Sequence, residues 1–191
     1  MRGITLLVCL VLSLGAPALA EHHEGEGSVY TATLAGNFEF VSGRLVQLAE
    51  AIPEDVYTWR PTDGVRSTSE TLMHLAGANL GLPMMMGVAP PEGMEMSEDM
   101  RAKMQEREKN VTAKAEVIAE LKKSIAYGKS AIGDFPAAHL GDEIEFFGMN
   151  LHKRDLLLIL LSHSHEHLGQ LIAYARSNDV TPPWSQPQEE E

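Results

Sequence analysis

Apolar residues recur along the chain at intervals of three and four, which is the spacing of one face of an α-helix. The first such stretch begins near Tyr30 and contains Leu34, Phe38, Val41, Leu45 and Leu48. It ends at Pro53, a residue that cannot continue a helix because it lacks a backbone N–H. The pattern therefore predicts a first long helix that buries one apolar face.

Start signals predict two further long helices. Ser67-Thr68-Ser69-Glu70 has the S-x-x-E form of a capping box, so a second helix begins there and runs to about Leu82 or beyond. Thr112 can cap a third long helix, which ends at Gly133-Asp134-Phe135-Pro136.

The fourth apolar stretch, from Leu156 to Tyr174, contains a polar interruption at residues 163–170, His-Ser-His-Glu-His-Leu-Gly-Gln. At 3.6 residues per turn, His163 and His167 fall on the apolar side, where leucines would serve a core. Residues four apart on a helix have Cβ atoms about 5 to 6 Å apart, so both rings can reach one small cation. Two interpretations remain open, a pair of metal ligands and a hydrogen-bonded core pair. Asn150 is the predicted cap of this helix.

His74 lies beside the apolar edge of the second helix, and the small residues Gly77, Ala78 and Gly81 follow it. Small neighbours let another helix approach closely or leave a cavity beside the imidazole. A single histidine in a helix is typical of a satisfied core residue, and it becomes a candidate ligand when a partner pair exists elsewhere.

Four long helices predict an all-α protein, a four-helix bundle in which metal sites form from side chains on facing helices. No long run alternates polar and apolar residues, so we expect no sheet. An irregular Met/Pro-rich insertion, Pro83 to Met96, follows the second helix and leads into one short charged helix that ends at about Asn110. Its methionines are either adaptable packing or soft ligands for Cu(I).

The amino terminus has the features of an export signal. One positive charge at Arg2 precedes an apolar run from Ile4 to Leu14, and Ala18-Leu19-Ala20 forms a small-x-small cleavage site. We therefore predict an exported protein, periplasmic or secreted. The predicted organisation is a signal peptide at 1–20, a disordered acidic amino terminus at 21–28, the helical bundle at 29–185 and a loose acidic tail at 186–191.

Charge and cysteine content narrow the classes of function. The formal net charge is −12 at pH 7, which disfavours nucleic acids and anionic lipids as partners. The single cysteine, Cys9, lies in the predicted signal, so the mature chain has no thiol nucleophile and no disulfide. No second apolar segment reaches membrane length, and we expect no membrane association after signal cleavage.

Together these motifs resemble the DinB-like superfamily. The resemblance depends on His74 within residues 69–79 of the second helix and on the HxxxHxGQ pattern at His163, His167, Gly169 and Gln170. The final segments 172–176 and 182–185, Ile-Ala-Tyr-Ala-Arg and Pro-Pro-Trp-Ser, are similar to its exported members. This resemblance implies a bundle that is often dimeric, with a divalent metal ion (Zn, Ni, Fe or Mn) held by His74, His163 and His167.

Some members of the superfamily are thiol-dependent transferases or hydrolases, so the resemblance also implies a reaction on a small molecule. Glu166 and Glu70 each lie within one turn of a predicted ligand and are candidates for a base or for orienting a ligand, with a solvated carboxylate as the alternative. Two functional classes stay open. One is a metal-dependent hydrolase or transferase, and the other is a non-catalytic protein that binds metal or a small ligand.

Overall fold

The computed structural model describes residues 18–94, 97 and 99–187, with side chains from Gly25 onward. Residues 1–17 of the predicted export signal and residues 188–191 of the predicted tail lie outside the described part. The helices and strands are α1 (Ala18–Ala51), α2 (Thr68–Met85), α3 (Met100–Asn110), α4 (Lys114–Gly133), β1 (Glu143–Phe146), β2 (Met149–His152) and α5 (Lys153–Ser177).

Four long helices form the bundle, which confirms the all-α prediction. Both α1 and α2 pack against α4 and α5, and α3 lies against α2. The five residues of the apolar stripe predicted on α1 are all buried. No helix in the described part of the chain is long and apolar enough to cross a membrane.

Two apolar clusters fill the bundle, and they meet along α5. Buried residues before His163, such as Leu156 and Leu160, belong to one cluster. Buried residues after His167, such as Leu171 and Tyr174, belong to the other. The two histidines therefore occupy the part of the α5 apolar stripe where neither cluster continues.

The first helix starts earlier than the sequence predicted, because α1 includes residues 21–28, which we expected to be disordered. Residues 27–30 of this helix contact the segment before β1 and the start of α5. A Cβ atom on Gly27 would lie 2.7 Å from Ala137 Cβ, so the missing side chain allows the close approach. The Tyr30 hydroxyl donates to the carbonyl oxygen of Arg154 at 2.8 Å.

A β-hairpin precedes α5, where we expected no sheet. β1 and β2 pair antiparallel, from Glu143 opposite His152 to Phe146 opposite Met149. The turn residues Phe147 and Gly148 have φ angles of 49° and 80°, the positive values that a tight two-residue hairpin turn requires. Strands of four residues are too short to produce the long alternation that predicts a sheet.

Two of the predicted helix caps were wrong. The link between α3 and α4 has only three residues, and Ala113, not Thr112, precedes α4 without a side-chain cap. Asn150 lies in β2, so His152 becomes the residue before α5. The Asp155 carboxylate accepts a hydrogen bond from the His152 backbone N–H at 2.9 Å and satisfies that donor.

The second helix continues through Pro83 to Met85, one turn into the stretch predicted to be irregular. Met84 and Met86 are buried, whereas Met85 is half exposed. Met84 and Met86 therefore serve as core packing, one of the two interpretations left open for this segment. Glu95 and Met96 lie outside the described residues.

Candidate metal site

The bundle brings three histidines together at the contact between α2 and α5. His74 comes from α2, and His163 and His167 lie one turn apart on α5. Their ring centroids are 5.0 Å (74 to 163), 5.1 Å (74 to 167) and 4.4 Å (163 to 167) apart. One ring nitrogen from each residue lies within 4.8 Å of the other two. These separations suit three ligands converging on one ion.

Hydrogen bonds define the tautomers of two of the three rings. His74 Nδ1 lies 3.1 Å from Glu108 Oε2, and His167 Nδ1 lies 2.7 Å from Gln170 Oε1. Carboxylate and amide oxygens only accept, so Nδ1–H is the donor in both contacts when the rings are neutral. The Nε2 lone pairs of His74 and His167 are then free for a ligand, as in protein sites where an oriented imidazole holds a metal.

His163 has a different environment. Within the described residues neither of its ring nitrogens makes a hydrogen bond, and no hydrogen bond joins any two of the three imidazoles. The hydrogen-bonded core pair considered from the sequence would need such a bond. The arrangement favours three converging ligands instead.

Burial keeps His163 and His74 in the form that binds metal. Burial lowers the pKa of His163 to about 4, with further contributions from the charges of His167, His74 and Arg66. The pKa of His74 is also lowered, first by burial and then by Arg66, although the Glu108 carboxylate opposes the shift. Both imidazoles are therefore neutral at pH 7, and neutral imidazole is the ligand form.

A network of hydrogen bonds links the two oriented ligands to each other. Gln170 Nε2 donates to the Tyr174 hydroxyl at 2.7 Å, and that hydroxyl donates to the backbone oxygen of Arg66 at 3.1 Å. The Arg66 side chain then donates from Nε to Glu108 Oε1 at 2.6 Å. Because Glu108 also contacts His74, the network holds residues of α2, α3 and α5 in one arrangement.

Comparison with protein families identifies the fold. The model of the DinB superfamily matches residues 37–171, a range that includes all three histidines. The chain belongs to the DinB superfamily. No curated protein matches it significantly.

Two solved structures titled as DinB-like proteins share this fold. One, from Bacillus cereus ATCC 10987, has 14% sequence identity and a TM-score of 0.64, with 78% of this chain and 93% of that chain covered. The other, from Bacillus subtilis, has 19% identity and a TM-score of 0.61, with 82% and 99% covered. At these identities the likeness concerns the fold alone.

One residue of this DinB-superfamily site, Glu108, did not emerge from the sequence. It lies on α3, a charged helix with no buried residue among those described, and such a composition is typical of a solvated helix. The small residues after His74 were the only sequence signal that another helix comes close. At Gly77 a Cβ atom would lie 3.9 Å from Met104 Cβ, which places α3 beside the His74 turn.

The two carboxylates predicted as bases occupy other positions in the DinB bundle. Glu70 Oε2 accepts the Ser67 backbone N–H at 2.8 Å, and Oε1 accepts from Arg60 Nη2 at 3.0 Å, which confirms the capping box. Burial acts to raise the Glu70 pKa, but these bonds outweigh it and lower the value. Glu166 is exposed on α5. A role for either residue as a base stays a prediction.

Proposed function

We propose that this DinB-superfamily protein binds one divalent metal ion through His74, His163 and His167. The observation that carries the proposal is the convergence of three ring nitrogens within 4.8 Å of one another. Imidazole ligands suit Zn, Ni and Fe, and Mn is retained as a further candidate. The orientation of His74 by Glu108 and of His167 by Gln170 is the kind of support that raises metal affinity.

Three protein ligands are characteristic of catalytic zinc sites, which keep one position open for water or substrate, and closed structural sites have four. A divalent ion held by His74, His163 and His167 would supply Lewis acidity and would lower the pKa of a water molecule bound to it. We therefore propose a metal-dependent hydrolase or transferase that acts on a small molecule. The protein would hold the metal through its three histidines and would also transfer a proton. Glu166, which is exposed and precedes His167, is the candidate for that proton transfer.

A non-catalytic protein that binds metal or a small ligand is the second candidate. It is favoured by the state of the carboxylates, because both oxygens of Glu70 and both oxygens of Glu108 already accept hydrogen bonds. A base needs a lone pair directed at the proton it removes. These contacts already engage Glu70 and Glu108, so a reaction that needs a base would rely on Glu166 or on solvent.

Metal binding is tested by titrating metal-free protein with Zn²⁺, Ni²⁺, Fe²⁺ and Mn²⁺ in a calorimeter and by elemental analysis of the loaded protein. We expect one ion per chain, and loss of tight binding in His163→Ala. His165→Ala is the matched control, because His165 is exposed on the same helix and its Nδ1 contacts the Leu161 backbone oxygen. Equal binding by wild type and His163→Ala would refute the site.

The choice between enzyme and binding protein needs an activity measurement. Ester and thioester panels are incubated with protein loaded with each metal, with His163→Ala and His165→Ala as the paired variants. Hydrolysis that depends on metal and disappears only in His163→Ala supports the enzyme. A loaded protein that is inactive on every panel, while still binding one ion, supports the second candidate.

We further propose that the protein is exported, which the charge, apolar run and cleavage site of residues 1–20 support. Expression of the full chain followed by amino-terminal sequencing of periplasmic and secreted fractions tests this. The expected product begins at Glu21. Recovery of the chain only from the cytoplasm, with Arg2 still present, would contradict export.

A further inference from the structure

We propose that Arg66 binds an anionic oxyacid group of the ligand, so that the protein selects small molecules that carry a carboxylate or phosphate beside their metal-binding group. This inference rests on the proposed metal site and names the class of its ligand. It depends on where the Arg66 guanidinium lies, on what holds it and on which of its nitrogens remain free.

The Arg66 guanidinium lies near His74, because both contact the Glu108 carboxylate. Arg66 Nε donates to Glu108 Oε1 at 2.6 Å, and the other oxygen of the same carboxylate contacts His74 Nδ1 at 3.1 Å. The Glu108 carboxylate therefore bridges the guanidinium and His74, one of the proposed metal ligands. The positive charge of Arg66 also contributes to the lowered pKa of both His74 and His163, which agrees with this proximity.

Arg66 is held at both ends. Its backbone oxygen accepts the Tyr174 hydroxyl at 3.1 Å, and Tyr174 connects through Gln170 to His167. Its side chain is attached through Nε to Glu108. A side chain held in this way loses little conformational entropy when a ligand binds. A larger share of the free energy of each new hydrogen bond therefore contributes to affinity.

The terminal nitrogens of Arg66 are free. Among the residues that the structure describes, neither Nη1 nor Nη2 makes a hydrogen bond, and 41% of the side chain is exposed. Arg60, in the same loop, is the opposite case. Its Nη1 donates to the Val65 backbone oxygen at 2.8 Å, and its Nη2 pairs with Glu70 at 3.0 Å.

A guanidinium with free terminal N–H groups has the geometry to bind carboxylate or phosphate oxygens by paired, charge-assisted hydrogen bonds. The net charge of the whole chain is −12 at pH 7, and this charge repels anions. Screening limits that repulsion to about 8 Å at physiological ionic strength, so the charges around the site decide selectivity. Around the site, the negative charge of Glu108 balances the positive charge of Arg66. A bound divalent ion would therefore make the site net positive.

The test compares anionic and uncharged probes on metal-loaded protein. Butyrohydroxamate supplies a metal-binding group without further charge, and analogues with a terminal carboxylate or phosphonate add the oxyanion on spacers of graded length. Dissociation constants for the Ni²⁺-loaded protein are measured by calorimetry, after the metal content of every variant has been determined. The phosphonate and carboxylate series show which oxyanion the site prefers.

We expect wild type to bind at least one anionic analogue about tenfold or more tightly than butyrohydroxamate, as a charge-assisted hydrogen-bond pair allows. Arg66→Gln should lose this preference, and Arg66→Lys should retain part of it. Arg60→Gln is the matched control and should keep the full preference, because the terminal nitrogens of Arg60 are already occupied.

Three results would overturn the proposal. The first is that wild type shows no preference for an anionic analogue with any spacer. The second is that Arg66→Gln, with normal metal content, keeps the preference unchanged. The third is that Arg60→Gln loses the preference equally, which would assign the effect to general surface charge. Failure of wild type to bind metal at all would instead be seen in the metal analysis, and it would remove the proposed function together with this inference.

Discussion

At the scale of single residues, Tyr57 shows how one side chain completes the end of a helix. The carbonyl oxygen of Ala49 would normally accept the N–H of the residue four positions later, but that residue is Pro53, which has none. The buried Tyr57 hydroxyl donates to this oxygen at 2.7 Å. A buried carbonyl thereby obtains the partner that the proline cannot supply.

Tyr57→Phe should therefore cost about 1 to 3 kcal/mol of folding free energy, because it leaves a buried acceptor without a donor. Urea denaturation of the metal-free protein measures the loss. Tyr127→Phe is the comparison, since the Tyr127 hydroxyl also donates to a backbone oxygen, that of Ala89, but in an exposed position. Equal effects of the two substitutions would contradict the role given to burial.

The histidines make the stability of the metal-free protein depend on pH. The ordinary pKa of a histidine is 6.5, and burial lowers that of His163 to about 4. Between these values the unfolded chain binds a proton that the folded chain does not, so acid favours unfolding. The stabilisation is fully present above pH 6.5 and is lost as the pH falls toward 4; the lowered pKa of His74 acts in the same direction.

Unfolding free energies from urea titrations at several pH values check this expectation. In His163→Gln the decline between pH 6.5 and 4 should be shallower than in wild type, because one of the groups that causes it is gone. A decline of the same steepness in both proteins would show that other groups produce it. His165→Gln serves as the control on the same helix.

At the scale of elements, α3 contributes to the site through one carboxylate rather than through apolar packing. Glu108→Ala should weaken metal binding about 10- to 100-fold, the usual cost of losing a residue that orients a ligand. Glu108→Gln should weaken it less, because an amide oxygen still accepts the His74 Nδ1–H. Calorimetric titration measures the affinity, and Glu106→Ala, an exposed change on α3, should have no effect.

The packing of the amino-terminal part of α1 depends on the absence of a side chain at Gly27. In Gly27→Ala the new Cβ would lie 2.7 Å from Ala137 Cβ, so the helix and the following segment must separate. We expect a lower melting temperature, even though alanine favours helices by about 1 kcal/mol over glycine. Gly36→Ala, in the same helix with no atom within 4 Å of the new Cβ, should be neutral or stabilising.

At the scale of the whole molecule, the metal should stabilise a fold that exists without it. The two apolar clusters contain most of the buried residues and do not need the histidines. Removing the metal with a chelator should lower the melting temperature, because an ion that binds only the folded state adds to its stability. The helical circular dichroism spectrum should persist at room temperature, and its collapse would show that folding requires the metal.

Local patterns in the sequence determined much of this architecture. The apolar stripe of α1, the Ser67–Glu70 capping box and the i, i+4 pair His163 and His167 each depend on neighbours along the chain. In a helix, residues three or four positions apart lie on the same face, and a capping box forms between residues three positions apart. The all-α fold and the candidate histidines could therefore be predicted from the sequence.

Tertiary structure decided the features that join distant segments. The packing of the amino-terminal part of α1 and the contact of Glu108 with His74 both require residues that are far apart in sequence. The hairpin before α5 is local, but its strands of four residues are too short to give a pattern that predicts a sheet. The contact of Glu108 with His74 joins positions 34 residues apart, across an irregular connection. A glutamate on a charged helix has the same local pattern whether it faces solvent or a histidine, and only the packing of α3 on α2 distinguishes these cases.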